Sequence, residues 1–316
     1  MSVSVCITVF NEKKSVSKLL ESLLKQTRKP DEIVVVDGGS TDKTVEIIRH
    51  YQKKDRRIKL LIERCTRARG RNLAVELAKY EIVAITDADC VAEIDWLNRL
   101  IEPFKHEDVD ICGGFYEMKV ESDFQKAESC FLGVLPSKFD ASFLPSTRSM
   151  AFRKRVWEEL GGFPERDGNS AEDTDFNYEA IKRRYKFARI KEARVLWSVP
   201  EIYEEFVRKI YNYAMWDAKY GVWWHPLKSF ESHNIRAVLK ILRYFLGITL
   251  FILGFYFSFF WFLLFFGILV YMLWAFRKVF VEFQDLRVGL WGIVLQFTSD
   301  FAVTAGFFKG LLAKNL

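Results

Sequence analysis

The first ninety residues alternate between short apolar runs and segments in which apolar residues recur at helical spacing. The runs Ser4 to Phe10, Ile33 to Val36, Ile58 to Ile62 and Ile82 to Ile85 are predicted as strands, with helices between them. Strands that alternate with helices favour right-handed crossovers and a mostly parallel sheet with helices on both faces. The pattern therefore predicts an N-terminal α/β domain of the Rossmann-like, nucleotide-binding type.

Polar residues follow three of these predicted strands. They are Asn11-Glu12, Asp37-Gly38-Gly39 and Asp87-Ala88-Asp89. Because the carboxyl ends of parallel strands meet at one edge of a sheet, we expect the three groups to converge there. A single acidic turn is common wherever a strand stops, but a carboxylate pair at this edge can also hold a hard divalent cation against a diphosphate.

The C-terminal third has a different pattern. From Tyr244 to Phe276, 33 consecutive residues include no Lys, Arg, Asp, Glu, His or Pro. As one helix they would extend about 50 Å, too long for a single crossing, so spans are predicted near 239–255 and 259–276. A third apolar segment, 288–308, contains Gln296 and Asp300 and either crosses the membrane or lies against the other two. The predicted division is a domain at 1–225 and a membrane domain at 226–316.

Composition narrows the partners. The formal net charge of +6 would suit either nucleic acid or an anionic membrane as a partner. The chain contains 29 Phe, 12 Tyr and 9 Trp, and these aromatic residues are concentrated in the C-terminal third. We therefore expect a membrane as the partner and no binding of nucleic acid. Five scattered cysteines indicate neither a disulfide framework nor a zinc site. The N-terminus shows no signal-peptide pattern, so the 1–225 domain is expected in the cytoplasm of a multi-pass cell-membrane protein.

Two phosphate-binding fingerprints are missing. No G-x-G-x-x-G follows the first strand, and no G-x-x-x-x-G-K-[ST] occurs. The hypothesis that the chain is an NAD-dependent dehydrogenase therefore loses its main support. A bound diphosphate would be neutralised by a metal on the acidic pair and by a predicted basic loop, Arg64 to Asn72.

Six short motifs carry a family resemblance when they are taken in order. They are Thr8-Val9-Phe10-Asn11-Glu12, Val35 to Thr44, Gly70-Arg71-Asn72, Asp87-Ala88-Asp89, Gly161-Gly162-Phe163-Pro164-Glu165 and Glu172 to Phe176. Over Val3 to Gly221 the chain resembles family 2 inverting glycosyltransferases of the GT-A fold. The resemblance implies a nucleotide-diphosphate sugar donor and Mg²⁺ or Mn²⁺ as cofactor.

The resemblance also implies roles for individual residues on the donor side. Glu12 and Asp37 match positions that contact the nucleoside, and Arg71 matches a basic residue near the base and phosphates. Asp87 matches the acid that faces the ribose, and Asp89 matches the metal ligand. On the acceptor side, Asp173 matches the general base, Glu172 belongs to the substrate-binding set, and Arg148 is a possible phosphate contact.

Local patterns offer alternative interpretations of two of these motifs. Ser170 and Asp173 fit a helix-capping box, although a carboxylate at a helix N-terminus can still act as a base if it faces the cleft. Gly161-Gly162 follows a predicted helix, Lys154 to Leu160, as a glycine C-cap. The Q-x-x-R-W element typical of processive synthases is absent as such around Trp216, which favours a single addition.

The predicted function is therefore a membrane-anchored, metal-dependent glycosyltransferase of the hexosyltransferase type. It would move a sugar from a nucleotide-diphosphate sugar to a hydroxyl of a lipid-linked or membrane-proximal glycan acceptor. Two alternatives remain open: a polyprenyl-phosphate or dolichyl-phosphate sugar synthase, whose acceptor needs no base, and a catalytically inactive GT-A binding protein.

Overall fold

A computed structural model of the chain describes residues 1–106, 108–166, 172–221, 223 and 232–313. The contacts divide the chain into two compact units. The first consists of residues 1–119 and 136–198, and the second consists of residues 120–135 and 199–316. The predicted domain at 1–225 thus contributes two segments, 120–135 and 199–225, to the second unit.

The first unit is built on one sheet of eight strands in the order β3-β2-β1-β4-β7-β6-β8-β5. The strands are β1 Val3–Val9, β2 Glu32–Asp37, β3 Ile58–Ile62, β4 Ile82–Ile85, β5 Cys90–Ala92, β6 Ile111–Lys119, β7 Met150–Arg153 and β8 Phe187–Ser198. The four predicted strands are present, and β1 pairs in parallel with β2 and β4.

The sheet is mixed, because β7 is antiparallel to both β4 and β6, and β5 is antiparallel to β8. All residues of β1, β2 and β4 but one are buried, which explains why apolar residues dominate their sequences. The predicted α/β class is confirmed.

The described helices of four residues or more, other than 3₁₀ turns, are eleven. They are α1 Val16–Leu24, α2 Thr44–Lys54, α3 Arg67–Leu77, α4 Trp96–Ile101, α5 Asp123–Leu132, α6 Lys154–Leu160, α7 Glu172–Lys182, α8 Tyr203–Tyr220, α9 His233–Gly254, α10 Phe259–Phe283 and α11 Leu286–Ala313. Helix α3 begins within the predicted basic loop, because the Thr66 hydroxyl caps it by accepting a bond from Arg69 N–H. The loop prediction was wrong there.

The glycine pair after α6 serves the core of the first unit. Gly161 ends α6 with a φ of 79°, as the C-cap interpretation predicted. Gly162 has a φ of 83°, and a Cβ there would lie 2.9 Å from Asn72 Oδ1. The Asn72 amide accepts a bond from Phe163 N–H at 2.8 Å and donates one to Phe163 O at 2.8 Å. Asn72 therefore holds this turn against the sheet.

The second unit contains α5 and the helices from α8 onward. Helices α9, α10 and α11 are each long and apolar enough to cross a membrane. The bounds of α10 and α11 include the second and third predicted spans, and α9 includes the first except for its last residue, Phe255. On α5, Glu128 is fully buried, and neither of its carboxyl oxygens has a hydrogen-bond partner among the described residues. Burial is the largest influence on the pKa of Glu128 and raises it from 4.5 to about 8. The positive charge of Lys209 opposes this rise, and the negative charge of Glu205 adds to it.

Candidate active site

The loops after β1 and β2 are tied together at the carboxyl edge of the sheet. Asn11 has a φ of 57°, a left-handed conformation that Asn tolerates better than most residues. Its backbone N–H donates to Ser40 Oγ at 2.8 Å, and its side-chain oxygen accepts from Thr41 N–H at 2.9 Å. These bonds place the end of β1 against the loop that follows Asp37, as the predicted convergence requires.

Asp37 ends β2 and is fully buried. Its Oδ1 accepts hydrogen bonds from the backbone N–H groups of Gly39, at 3.0 Å, and Ser40, at 2.8 Å. Its Oδ2 is also buried but has no hydrogen-bond partner among the described residues. Since a buried carboxylate oxygen without a donor is costly, this atom is suited to accept an N–H from a ligand.

Glu12, in the loop after β1, is half-buried near the acidic end of β4. Its carboxylate accepts a bond from the Ser15 hydroxyl at 2.5 Å. Burial is the largest influence and raises the pKa of Glu12, and the negative charges of Asp89 and Asp87 raise it further. The edge therefore concentrates negative charge, which a bound cation would relieve.

Arg71 lies between two carboxylates. Its Nη2 donates to Asp87 Oδ1 at 2.6 Å, and its Nη1 donates to Glu172. The residue is only 2% exposed. Burial by itself would raise the pKa of Asp87, but the positive charges of Arg71, Arg148 and Arg67 outweigh it and leave that pKa below its ordinary value. Asp87 is thus held as a carboxylate.

Glu172 joins α3 to the beginning of α7. It is 2% exposed and accepts hydrogen bonds from Arg71 and from Arg67 Nε, the latter at 3.0 Å. Arg67 and Arg71 both stand in the first turns of α3, one helical turn apart, so they reach the same carboxylate. Their pairing with Glu172 anchors the N-terminal end of α7 beside the sheet edge.

Asp89 lies two residues beyond Asp87, as in the predicted acidic pair. Its Oδ2 accepts a hydrogen bond from Trp197 Nε1 at 2.9 Å, and its Oδ1 is contacted by the Cys90 thiol at 3.7 Å. Among the residues that the structure describes, no three His, Cys, Asp or Glu side chains form a closed metal cage. The oxygen donors fit a hard cation that takes one or two carboxylates from the protein and further oxygens from substrate phosphates and water.

Arg148 lies on an aromatic platform next to this pair. Its guanidinium carbon is 3.8 Å from the ring centre of Trp197 and 4.9 Å from that of Tyr116. Its Nη1 donates to Ser146 Oγ at 3.0 Å. Stacking orients the guanidinium, and its positive charge lies close enough to lower the pKa of Asp87, so Arg148 is a candidate contact for an anion beside the acidic pair.

Asp173 is the second residue of α7 and is only partly buried. Its Oδ2 accepts long bonds from Ser146 Oγ, at 3.4 Å, and Thr147 N–H, at 3.5 Å. Its Oδ1 accepts from Thr174 N–H at 2.8 Å, which is the contact of a residue at a helix start. The Ser170 of the predicted capping box lies outside the described residues. The Ser146 and Thr147 contacts orient Asp173 toward the loop that precedes β7 and carries Arg148.

All eight residues predicted for the site lie in the first unit, and the contacts of Arg71 and Trp197 place five of them in two groups. Arg71 joins Asp87 to Glu172, while Trp197 joins Asp89 to Arg148. Sequence reasoning missed Trp197. It is separated from Asp89 by 108 positions, and its only local signal was a tryptophan at the end of a strand.

Comparison with known proteins is consistent with this geometry. Residues 4–163 match the family model described as glycosyl transferase family 2. The glycosyltransferase GlyG of Streptococcus pneumoniae is 31% identical over 123 residues, covering 38% of this chain and 41% of that protein. The glycosyltransferase AglE of Haloferax volcanii is 30% identical over 169 residues, covering 51% and 56%. This chain thus spans about half the length of these curated relatives.

Among solved structures, the mannosyltransferase PcManGT from Pyrobaculum calidifontis in complex with GDP-Man and Mn²⁺ is similar in fold. The TM-score is 0.56 at 23% sequence identity, covering 72% of this chain and 65% of that one. At this identity the likeness concerns the fold, which is the mixed α/β half-barrel typical of GT-A.

Proposed function

We propose a specific reaction for this chain, which belongs to glycosyl transferase family 2. The enzyme would transfer a sugar, with inversion, from a nucleotide-diphosphate sugar to a hydroxyl of a lipid-linked or membrane-proximal glycan acceptor. The observation that supports this reaction best is the arrangement of Asp37, Asp87, Asp89 and Asp173 on one edge of the sheet. Donor-binding acids stand at the ends of β2 and β4, and a candidate base stands on α7.

The nucleoside is proposed to bind between the loops after β1 and β2. The buried Asp37 Oδ2 lacks a protein donor and would accept an N–H of the base. Glu12 would contribute a second contact from the loop after β1, and Asp87 would face the ribose. This role of Asp37 requires a base that presents an N–H, as uracil and guanine do.

The diphosphate is proposed to bind beside Asp89 and Arg148. Asp89 would ligate Mg²⁺ or Mn²⁺, and the metal would stabilise the negative charge that grows on the departing nucleoside diphosphate. The structure of PcManGT is a complex with GDP-Man and Mn²⁺, and the carboxylate oxygens of the acidic pair in this chain suit a hard cation of that kind. Arg148, held on Trp197, would contact a phosphate oxygen.

Asp173 is proposed as the general base. Among the described residues, its Oδ2 accepts only the two long hydrogen bonds from Ser146 and Thr147, so the oxygen is suited to accept a further bond from an acceptor hydroxyl. Arg71 and Glu172 are proposed to position Asp87 and α7 rather than to carry a chemical step.

The chain is also proposed to act at the cytoplasmic face of the cell membrane. Helices α9 and α10 meet in a tight turn, with Phe257 N–H bonded to Leu253 O at 2.9 Å. Basic residues stand at the opposite end of this hairpin, at Arg236 and Lys240 on α9 and at Arg277 and Lys278 on α10. Such residues favour the cytoplasmic side of a membrane.

The test is to incubate membranes that contain this chain with a panel of labelled nucleotide sugars and then to extract the lipids. We expect label from one donor to appear in a lipid or lipid-linked glycan, and we expect the Asp173→Asn variant to transfer far less. Transfer by Asp173→Asn at the wild-type rate would replace the hydroxyl acceptor with a polyprenyl phosphate. No transfer from any donor, with an intact fold, would favour a binding protein.

A further inference from the structure

Helix α11 is long and apolar enough to be a third crossing, yet its contacts within the second unit point to a different position. We infer that α11 lies in the plane of the membrane surface, across the base of the α9–α10 hairpin, with one apolar stripe facing the lipid. The inference rests on the membrane anchoring in the proposed function and specifies how the anchor meets the bilayer.

The two helices of the hairpin are antiparallel and closely packed near their tip. A Cβ on Gly254 would lie 2.7 Å from the Trp261 ring, and one on Gly247 would lie 4.0 Å from Leu264. Continuing this antiparallel pairing away from the tip brings the N-terminal part of α9 level with the C-terminal part of α10. We call these two parts the base of the hairpin; it comprises 233–244 of α9 and 271–283 of α10.

Helix α11 passes from one side of this base to the other. Near its start, Gly292 packs so tightly on α10 that a Cβ would lie 2.7 Å from Val279. Farther along, Phe307 packs against Ala237 of α9. A helix that crossed the bilayer beside the hairpin would instead follow α10 toward the tip as it advanced. The change of partner from α10 to α9 within the base means that α11 runs across the hairpin.

The middle of α11 is fixed to the base by a buried carboxylate. Asp300 is fully buried and accepts hydrogen bonds from Arg243 Nη2, at 2.7 Å, Tyr244 OH, at 3.0 Å, and Tyr271 OH. Lys240 Nζ lies 3.5 Å from the same carboxylate. These partners belong to both helices of the hairpin, so Asp300 marks the point where α11 crosses between them.

The tip half of the hairpin has no such cover. Phe265 to Val270 are six consecutive residues of α10, and every one is exposed. Six residues occupy more than a full helical turn, so α11 does not cover this part of α10. This part of the hairpin is left for lipid, and α11 does not accompany it.

Helix α8 gives an independent argument, because it runs beside the C-terminal half of α11 in the same direction. Tyr203 OH is 2.7 Å from Thr298 Oγ1, and a Cβ on Gly306 would lie 2.3 Å from Tyr211 O. Close to this start of α8, Glu204 and Glu205 are exposed. If α11 spanned the bilayer, these carboxylates would stand near its centre without cover, where a charge is most costly.

The remaining face of α11 is suited to a lipid surface. The stripe consists of large apolar side chains, each at least 48% exposed, at spacings of four or seven residues: Leu286, Leu290, Val294, Phe301, Phe308 and Leu312. An apolar groove of about 650 Å³ continues it, lined by Val294 and Phe301 together with Tyr203 and Val207 of α8. An interfacial helix buries such a face about 5–10 Å into the boundary between head groups and acyl chains.

Depth measurements along the stripe test the inference. Single cysteines replace Leu290, Phe301 or Leu312 in a chain whose five native cysteines are substituted, and each is coupled to a fluorophore in vesicles that contain nitroxide-labelled lipids. We expect a nitroxide near the head groups to quench all three positions equally. Phe266→Cys, at the tip half of the hairpin, is the control that a deep nitroxide should quench. Deep quenching at Phe301 with shallow quenching at Leu290 and Leu312 would show a spanning helix and overturn the inference.

Sidedness gives a second readout. Lys309 is exposed near the end of α11, Lys18 is exposed in the first unit, and Phe257 is at the hairpin tip. A membrane-impermeant maleimide should label Lys309→Cys from the side that labels Lys18→Cys, and Phe257→Cys from the other. Labelling of Lys309→Cys together with Phe257→Cys would overturn the position of α11. If no nitroxide quenches Phe266→Cys, the membrane anchoring itself is refuted and the inference with it.

Discussion

The indole N–H of Trp197 offers a direct way to test the metal assignment without touching a proposed ligand. Trp197 is 1% exposed, donates to Asp89 Oδ2 at 2.9 Å, and supports Arg148 with its ring. Trp197→Phe removes the N–H but keeps an aromatic ring on which Arg148 can stack. We expect the Asp89 carboxylate to be oriented less firmly in this variant, and the affinity for the metal to fall as a result.

The magnitude follows from the bond that is lost. A hydrogen bond to a charged group contributes about 1.5–3 kcal/mol, and loss of a partner that orients a metal ligand typically weakens metal affinity about 10–100-fold. We therefore expect the Mn²⁺ concentration for half-maximal sugar transfer to rise about 10–100-fold in Trp197→Phe. The rate at saturating Mn²⁺ should change less, because Asp89 is still present.

Trp96→Phe is the matched control. Trp96 is also fully buried in the first unit and donates through Nε1 to Ser149 Oγ at 2.9 Å, and Ser149 keeps a second bond to Ala193 O at 3.0 Å. Both variants should lose about 0.5–3 kcal/mol of stability from the smaller ring. Transfer is measured over a Mn²⁺ series for each. An equal Mn²⁺ requirement in the two variants would refute the reasoning, because of the two tryptophans it is Trp197 whose indole bonds Asp89.

Three further predictions address the metal, the base and a buried acid. Asp89→Ala should abolish transfer in the labelled-sugar assay, and a chelator should do the same to the wild type; full activity under both conditions would remove the metal from the mechanism. Asp173→Asn should lower kcat by about 10²–10⁴ with little change in donor KM or in Tm, and unfolding of this variant would assign Asp173 a mainly capping role. Because the pKa of Glu128 is raised to about 8, the folded chain retains its proton between about pH 4.5 and 8 while the unfolded chain loses it, so stability falls with rising pH by up to about 1.4 kcal/mol per unit. Glu128→Gln should remove most of this slope and raise Tm at pH 7, whereas the control Glu201→Gln, at an exposed residue that is not among the influences on that pKa, should not; melting curves that do not change from pH 5 to 8 would contradict it.

The site residues that could be predicted well from the sequence are those that directly follow the ends of strands. β1, β2 and β4 are buried on both faces, so apolar residues dominate them, and each predicted strand end lies within one position of the observed one. Parallel pairing then brings Glu12, Asp37 and Asp87 to one edge whatever the rest of the chain does. The positions of these strands, and the polar residues that follow them, are local features that can be predicted from such runs.

The contacts that sequence could not predict all join distant segments. The stretch from Arg67 to Asn72 reads as a basic loop, because its charged residues and Gly70 weaken the helical pattern. It folds as the start of α3 since Glu172, about a hundred positions away, compensates Arg67 and Arg71. Trp197 and Asp89 meet for a similar reason, through the pairing of β5 with β8.

The buried Arg71 connects the end of β4 with the beginning of α7. The guanidinium is 2% exposed and is bound through its two Nη atoms by Glu172 and Asp87, while its Nε has no partner among the described residues. The phosphate contact of Arg71 that the resemblance implies stays a prediction. Arg148, stacked on Trp197, is a second candidate cation for that anion. Arg71 also ties the end of β4, where the donor is proposed to bind, to Glu172, the residue directly before Asp173. The carboxylates proposed for the donor side and for the acceptor side are therefore held by one buried cation, Arg71. With the proposed roles, this ion pair sets the distance between the leaving group and the base.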